Sequence, residues 1–302
     1  MRYALVALGL WVLGCSDDSG QKADMLVADA PIPSDAGPEA GPDQSAPDQS
    51  VAPPCELSTL GQPCTQGGGE CGAVNTCLIT EGSAGFCSCA CLPDDTTTEL
   101  IDEDSCPGSD FACGLDAAST PRCLGLLTNT PQLPNCAKSV IIVADPTDTA
   151  FMVAARIVPK TYPFTLVGLR YTLQGPGSKT PECDTGLAHR AEVFVNDQST
   201  PSPTPTVLES FSVSATTATT EPRQVRLALA APVQVKAGEA IYVAVEVVRD
   251  GSTSLCTDAC ADGSATGAKS YIDVDSDQPP YVWESFESKQ WGGDLSFAAL
   301  GF

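Results

Sequence analysis

The stretch FTLVGLRYTL, residues 164–173, sets Val167, Leu169, Tyr171 and Leu173 at every second position. That is the repeat of a strand with one face buried, since successive side chains in a strand point to opposite sides. Val225, Leu227 and Leu229 repeat the pattern downstream. Apolar runs of strand length recur through the C-terminal half, divided by Pro, Gly, Ser and Asp. They mark candidate strands at Ser139–Val143, Ala150–Ile157, Phe164–Leu173, Ala188–Asn196, Val207–Ala215, Arg223–Ala230, Ala240–Arg249, Lys269–Val274, Pro280–Phe286 and Leu295–Leu300. The runs are rich in Val and Thr, and no long stripe of helical period interrupts them. About ten short strands with turn signals between them predict an all-β, antiparallel two-sheet β-sandwich over residues 128–302.

Upstream the composition changes. Residues 55–127 are dense in cysteine, and Phe86 and Phe111 are their only aromatic residues. A segment this poor in large apolar side chains needs covalent staples to hold a fold. Ten cysteines lie there: Cys55, Cys64, Cys71, Cys77, Cys87, Cys89, Cys91, Cys106, Cys113 and Cys123. Four more follow, Cys136, Cys183, Cys256 and Cys260. With Cys15 set aside the total is even, and the split predicts five bridges in a small disulfide-rich domain and two in the sandwich. Cys87-Ser-Cys89-Ala-Cys91 invites a metal reading. Yet no C-x-x-C pair and no histidine accompany it, which favours disulfides. The spacing loosely resembles EGF-like or knottin-like modules without matching the full pattern of either.

Residues 16–54 carry seven prolines, seven aspartates and one glutamate among small polar residues. Nothing in them buries a core, and their like charges repel, so they read as a disordered linker. As a coil the linker spans about 35 Å; stretched as polyproline II it reaches roughly 120 Å. Before it stands MRYALVALGLWVLGC. Arg2 and the apolar run Tyr3–Leu13 have the size of a signal-peptide core, far short of the roughly 20 residues of a membrane span. Val12-Leu13-Gly14-Cys15 resembles the bacterial lipobox. The resemblance implies a signal peptide over residues 1–14, cleavage after Gly14 and a lipid on Cys15, hence a chain anchored to the bilayer rather than crossing it. Ser16 then resembles outer-membrane cargo in the enterobacterial sorting pattern. The expected location is the bacterial cell envelope.

Net charge is −23. The acidic excess is spread over the linker, the cysteine-rich part and the sandwich, and no basic stripe exists, so nucleic acid is not an expected partner. His189 is the only histidine, which excludes multi-histidine metal sites. No G-x-S-x-G elbow or phosphate-cradling loop exists. A pair of carboxylates, drawn from Glu246, Glu284 and Asp273, is the one enzymatic route left, as in a glycoside hydrolase. The expectation is a protein without catalytic activity.

The segments Phe164–Tyr171, Ala191–Asp197, Val235–Val245 and Trp291–Phe297 follow one another in an order that resembles the jelly-roll-like accessory modules of exported bacterial hydrolases and surface proteins. The resemblance covers roughly residues 150–302 and implies a non-catalytic module, some of whose relatives bind carbohydrate. The whole layout resembles lipoproteins of myxobacteria. Two constellations are candidate binding sites. Tyr281 and Trp283, with Trp291 nearby, offer flat rings for stacking on a sugar or a peptide side chain. Asp273-Val-Asp275-Ser-Asp277, with Glu284 at the twelfth place, echoes a Ca²⁺ loop, although Gln278 stands where the loop needs glycine. The expected partners are the lipid bilayer and a polysaccharide or another envelope protein. The alternative role is a structural envelope component with protein partners only.

Overall fold

The computed structural model describes residues 55–81, 83–91, 106–107, 110–129, 139–144, 149–177, 180–260, 269–273, 278–291 and 293–302. By compactness the chain divides into Met1–Gln49 and Ser50–Phe302. Every described residue lies in the second unit. Cys15, Cys136, Asp275, Asp277 and the linker lie outside the described residues. Among the described residues no helix is long and apolar enough to cross a membrane.

Three short strands come first: β1 (Pro63–Thr65), β2 (Thr76–Glu81) and β3 (Ala84–Ser88), in the order β1-β3-β2. The rest are β4 (Phe111–Leu115), β5 (Pro121–Thr128), β6 (Ser139–Ile142), β7 (Ala150–Ile157), β8 (Phe164–Leu173), β9 (His189–Asn196), β10 (Val207–Val213), β11 (Arg223–Val235), β12 (Ala240–Asp250), β13 (Thr253–Ser254), β14 (Thr257–Cys260), β15 (Ser270–Asp273), β16 (Glu284–Ser285), β17 (Asp294–Leu295) and β18 (Ala298–Gly301). A seven-stranded sheet runs β10-β9-β12-β7-β15-β16, with β13 against β12. An eight-stranded sheet runs β17-β14-β8-β18-β5-β4, with β11 on β8 and β6 on β14. The ladders between these strands are antiparallel, and the chain passes repeatedly from one sheet to the other, in the jelly-roll manner. The molecule is an all-β sandwich with a disulfide-rich N-terminal segment.

Strand β12 shows why the sheets pack. Its Ile241, Val243, Val245 and Val247 enter the core between the sheets, while Tyr242 and Ala244 face the other way. Each large apolar side chain withdrawn from water contributes about 1.5–3 kcal/mol. In β8 the alternation breaks. Leu169, Tyr171 and Leu173 point into the core as their spacing predicts, but Val167 sits in a separate cluster with Ala112, Leu124 and Leu300. Register shifts between Ala228 and Val233 on one neighbour, and between Leu300 and Gly301 on the other, account for the reversal. Against β18 the shift leaves Val167 as one extra residue on β8, and against β11 it sets residues 229–232 opposite that same residue; an odd mismatch of this kind flips the faces. A Cβ on Gly168 would lie 2.6 Å from the Leu227 carbonyl, so this crowded point in β8 accepts only glycine.

The five expected bridges in the cysteine-rich segment are all present. Cys64–Cys77 and Cys71–Cys87 staple the three-stranded sheet. Cys55–Cys89, Cys91–Cys113 and Cys106–Cys123 carry the staples on to β4 and β5. That hairpin is itself part of the eight-stranded sheet, because β5 pairs with β18 from Ala298↔Thr128 to Gly301↔Gly125. The Phe86 ring stacks on Phe302 at 5.1 Å, and Ser88 Oγ donates to the Cys123 carbonyl at 2.8 Å. In the sandwich, Cys183–Cys256 closes a separation of 73 residues, and Cys260 is also disulfide-bonded.

Candidate functional site

The outer face of the seven-stranded sheet collects most of the residues with chemistry to offer. Alternation that sends Val153, Ala191 and Val245 inward turns Met152, Ala154 and Arg156 outward on β7. It does the same for Arg190, Glu192 and Phe194 on β9, and for Tyr242, Ala244 and Glu246 on β12. The ladder registers align these residues in rows. Ala154, Ala244 and Glu192 lie side by side, as do Arg156, Tyr242 and Phe194. Asp273, Met152 and Glu246 form a third row.

A face of this kind ordinarily meets water. Here a second apolar cluster covers it. Phe194 stacks on Tyr242 at 5.2 Å with a 4° tilt between the rings. The Tyr242 hydroxyl donates to the Gln198 carbonyl at 2.9 Å, and the Tyr271 hydroxyl to that of Ser199 at 2.6 Å. These two bonds fasten the loop after β9 onto the sheet. Tyr281 closes the cluster. It is 2% exposed, its N–H donates to Pro203, and its hydroxyl lies 3.4 Å from a Glu192 oxygen. Burial, with the Glu192 carboxylate beside it, pushes the Tyr281 phenol above its usual value.

The aromatic constellation expected from sequence is therefore divided. Tyr281 and Trp283 do meet, with ring centroids 4.8 Å apart, although they stand on a loop: of the candidate strand 280–286 only Glu284–Ser285 is ladder. Trp283 is half-buried, and its indole N–H donates to the Ser202 carbonyl at 3.0 Å. Trp291 belongs to the other side of the sheet. It packs edge-on against Phe286 at 5.3 Å and joins the main core. Between Tyr281 and Trp283 the exposed residue is Val282, at 59%.

Of the four acids in the candidate Ca²⁺ loop, Asp273 and Glu284 are described. The Asp273 carboxylate is fully buried and accepts the Val282 N–H at 3.0 Å. Glu284 is ion-paired with Lys289. The groups of three or more potential ligands gathered closely among the described residues are cysteines already bonded in pairs.

His189 uses both ring nitrogens. Nδ1 lies 2.9 Å from the Leu187 carbonyl, which can only accept, so Nδ1 carries the proton. Nε2 then accepts from the Tyr171 hydroxyl at 2.7 Å. Burial lowers the His189 pKa and keeps the ring neutral. The carboxylates nearby are also engaged. Glu192 binds Arg190 Nε at 3.1 Å. The β9–β12 ladder ends at Ala191↔Val245, and one step further a Glu246 oxygen accepts the Arg190 N–H at 2.8 Å. At this parting of the strands lies a depression of about 420 Å³, lined by Ala188, His189, Arg190, Ser212, Val213, Ser214 and Glu246.

Arg190 and Glu192 were not among the residues singled out from the sequence. The signal was present in HRAEVFVN, residues 189–196. Its alternation sets Arg190, Glu192 and Phe194 on one face, a charged pair leading to an aromatic ring.

Fold and bridges together define the class: a disulfide-stapled β-sandwich of an extracytoplasmic compartment. All thirteen described cysteines are bonded, the state that oxidising compartments maintain. No protein-family model and no curated protein matches the chain. Among solved structures it is similar to the cysteine protease and lectin-like domains of Cwp84, a surface-layer-associated protein of Clostridium difficile. That match has 13% identity over 66% of this chain and 37% of that one, with a TM-score of 0.36. The same clostridial cysteine protease after propeptide cleavage matches at 12% identity over 67% and 42%, with a TM-score of 0.37. The chain spans about two fifths of the length of these matched chains.

Proposed function

We propose that the protein is a lipoprotein, anchored through Cys15 in the outer membrane, that holds out a non-catalytic β-sandwich to bind a ligand, with glycan favoured. The observation that carries the reading is how the reactive groups are committed. His189 is bonded at both nitrogens, Asp273 lies beneath the Val282 amide, and Glu192 is held by Arg190 and covered by Tyr281. Groups held in this way suit a surface built for binding. Stacking then falls to Trp283, with apolar contact from the exposed Val282, rather than to the enclosed Tyr281. The acidic sequence from Asp273 to Asp277 makes calcium the cation to test beside a glycan.

The test is a glycan array probed with the soluble Cys15→Ser protein, with and without millimolar Ca²⁺. Specific binding that weakens in Trp283→Ala supports the reading. Hydrolysis of any arrayed glycan, abolished by Glu246→Gln, would make it an enzyme instead. A protein partner is the second reading. It is favoured by an exposed apolar ridge in which Pro203, Pro279 and Pro280 accompany Val282. A blank array, together with envelope proteins crosslinked through that ridge, would establish it.

A further inference from the structure

We propose that Thr204 and Thr206, in the loop between β9 and β10, are O-glycosylation sites that each take a neutral hexose. The sugar is one the chain carries, not one it binds, so the inference stands apart from the glycan-binding reading. Residues 199–206 read STPSPTPT, five hydroxyl side chains and three prolines with nothing else among them. Ser and Thr tracts with Pro are the composition of O-glycosylated segments.

The structure adds how the tract is held. The hydroxyls of Tyr242 and Tyr271 hold the carbonyls of Gln198 and Ser199. The Trp283 indole N–H and the Tyr281 main-chain N–H hold those of Ser202 and Pro203. The tract is thus fastened to the sheet by its carbonyls, while Thr204 and Thr206 are exposed. Among the described residues no group hydrogen-bonds the hydroxyl of either. A second tract, SATTATT at 214–220, differs: Thr216 takes a hydrogen bond from Arg223, and the Thr219 hydroxyl is bonded to Thr185. Thr204 stands between Pro203 and Pro205, and a residue before proline is held extended. A transferase therefore meets a fixed, extended backbone with its hydroxyls turned to solvent.

In the transfer, the threonine Oγ1 bonds to C1 of a phosphate-activated sugar, the C1–phosphate bond breaks, and the hydroxyl proton passes to the base of the transferase. Phosphorylation would instead add negative charge to a chain of −23, close to Asp197, where like charges repel. A hexose adds none. Its C–H face also suits the apolar ridge of Pro203 and Val282, which the bond from Tyr281 to Pro203 brings together.

The experiment isolates the full chain from the cells it comes from and sequences the tryptic fragment Ala191–Arg223, which holds both tracts, by electron-transfer mass spectrometry. Whole hexose increments on Thr204 and Thr206 are the expected result. Thr204→Ala with Thr206→Ala should lose all of them, and Thr217→Ala, in the second tract, should keep them. If the double variant does not accumulate, the fragment from the parent chain still places the sugar. An unmodified fragment overturns the proposal. So does a phosphate increment, or hexose found only outside residues 199–206.

Discussion

In the three-stranded sheet and its flanking turns, the buried apolar groups are Leu60 and the half-cystines Cys64, Cys71, Cys87, Cys89 and Cys91. Between the two large sheets they are Tyr171, Phe297, Ile157, Leu169 and a wall of valines. The first region orders its chain mainly by limiting what the unfolded chain can do. The second orders it mainly by removing surface from water. A short segment with few large side chains has no other recourse, whereas the sandwich has apolar area enough to spare. The two regions should therefore fail for different reasons, and that difference can be measured.

The largest effect is expected from Phe297→Ala. The ring is fully buried and packs 5.8 Å from that of Tyr171. Its loss should cost about 3–5 kcal/mol in urea unfolding. Amide exchange in β1–β3 should stay slow at urea concentrations that open the sandwich. Simultaneous loss of protection in both would mean that they unfold as one unit, and the contrast would break.

Acidity separates the regions next. Asp258 on β14 is 2% exposed and takes a hydrogen bond from Gln174. Burial raises its pKa from 3.8 to about 7. The fold thus favours the neutral acid. The stability this group contributes is complete below pH 3.8 and declines as pH rises to about 7, a total loss on the order of 4 kcal/mol. Asp258→Asn keeps the acceptor without the charge. Thermal melts from pH 4 to pH 8 should show the variant matching the parent in acid and surpassing it at pH 8. A constant difference across that range would sink the assignment.

Removing one staple, Cys64→Ala with Cys77→Ala, opens a loop whose ends are 13 residues apart. The expected cost is about 3 kcal/mol, confined to β1–β3. Loss of amide protection in β7 or β12 would contradict that confinement. The smallest effect concerns the seam. Phe302→Ala removes the stacking on Phe86 and should cost about 1–2 kcal/mol, ring contact and lost burial together. Its mark is faster exchange in β3 with little change in β12.

The strands of the sandwich were legible because they carry local pattern. Ala150–Ile157 and Phe164–Leu173 fall where their sequence places them, and β9, β10 and β12 differ by a residue or two at their ends. Thr257–Cys260 escaped notice, since TDAC has no alternation to read. The place of β4 and β5 in the large sheet was also hidden. Their partner β18 is more than 160 residues away in sequence, and pairing at that distance leaves no local signature. At the candidate site the sequence told which residues have chemistry to offer but not which way they face. Tyr281, Trp283 and Trp291 read as one aromatic group, and the turn at Phe286–Trp291 puts the third ring on the opposite side of the sheet. The recess beside Glu246 arises from a ladder that stops, which composition cannot reveal.

The bridge Cys55–Cys89 also has a mechanical meaning. Tension reaching Cys55 from the N-terminal side does not peel β1 away residue by residue, because it crosses at once to Cys89 through a covalent bond. From there the load path runs two residues to Cys91, over the bridge to Cys113, and into the β4–β5 hairpin. It leaves that hairpin along the β5–β18 ladder, whose hydrogen bonds then bear it together rather than in turn. A pull entering at Cys55 is thus passed by covalent bonds to the large sheet, so the stapled segment acts as a strain relief for the sandwich behind it.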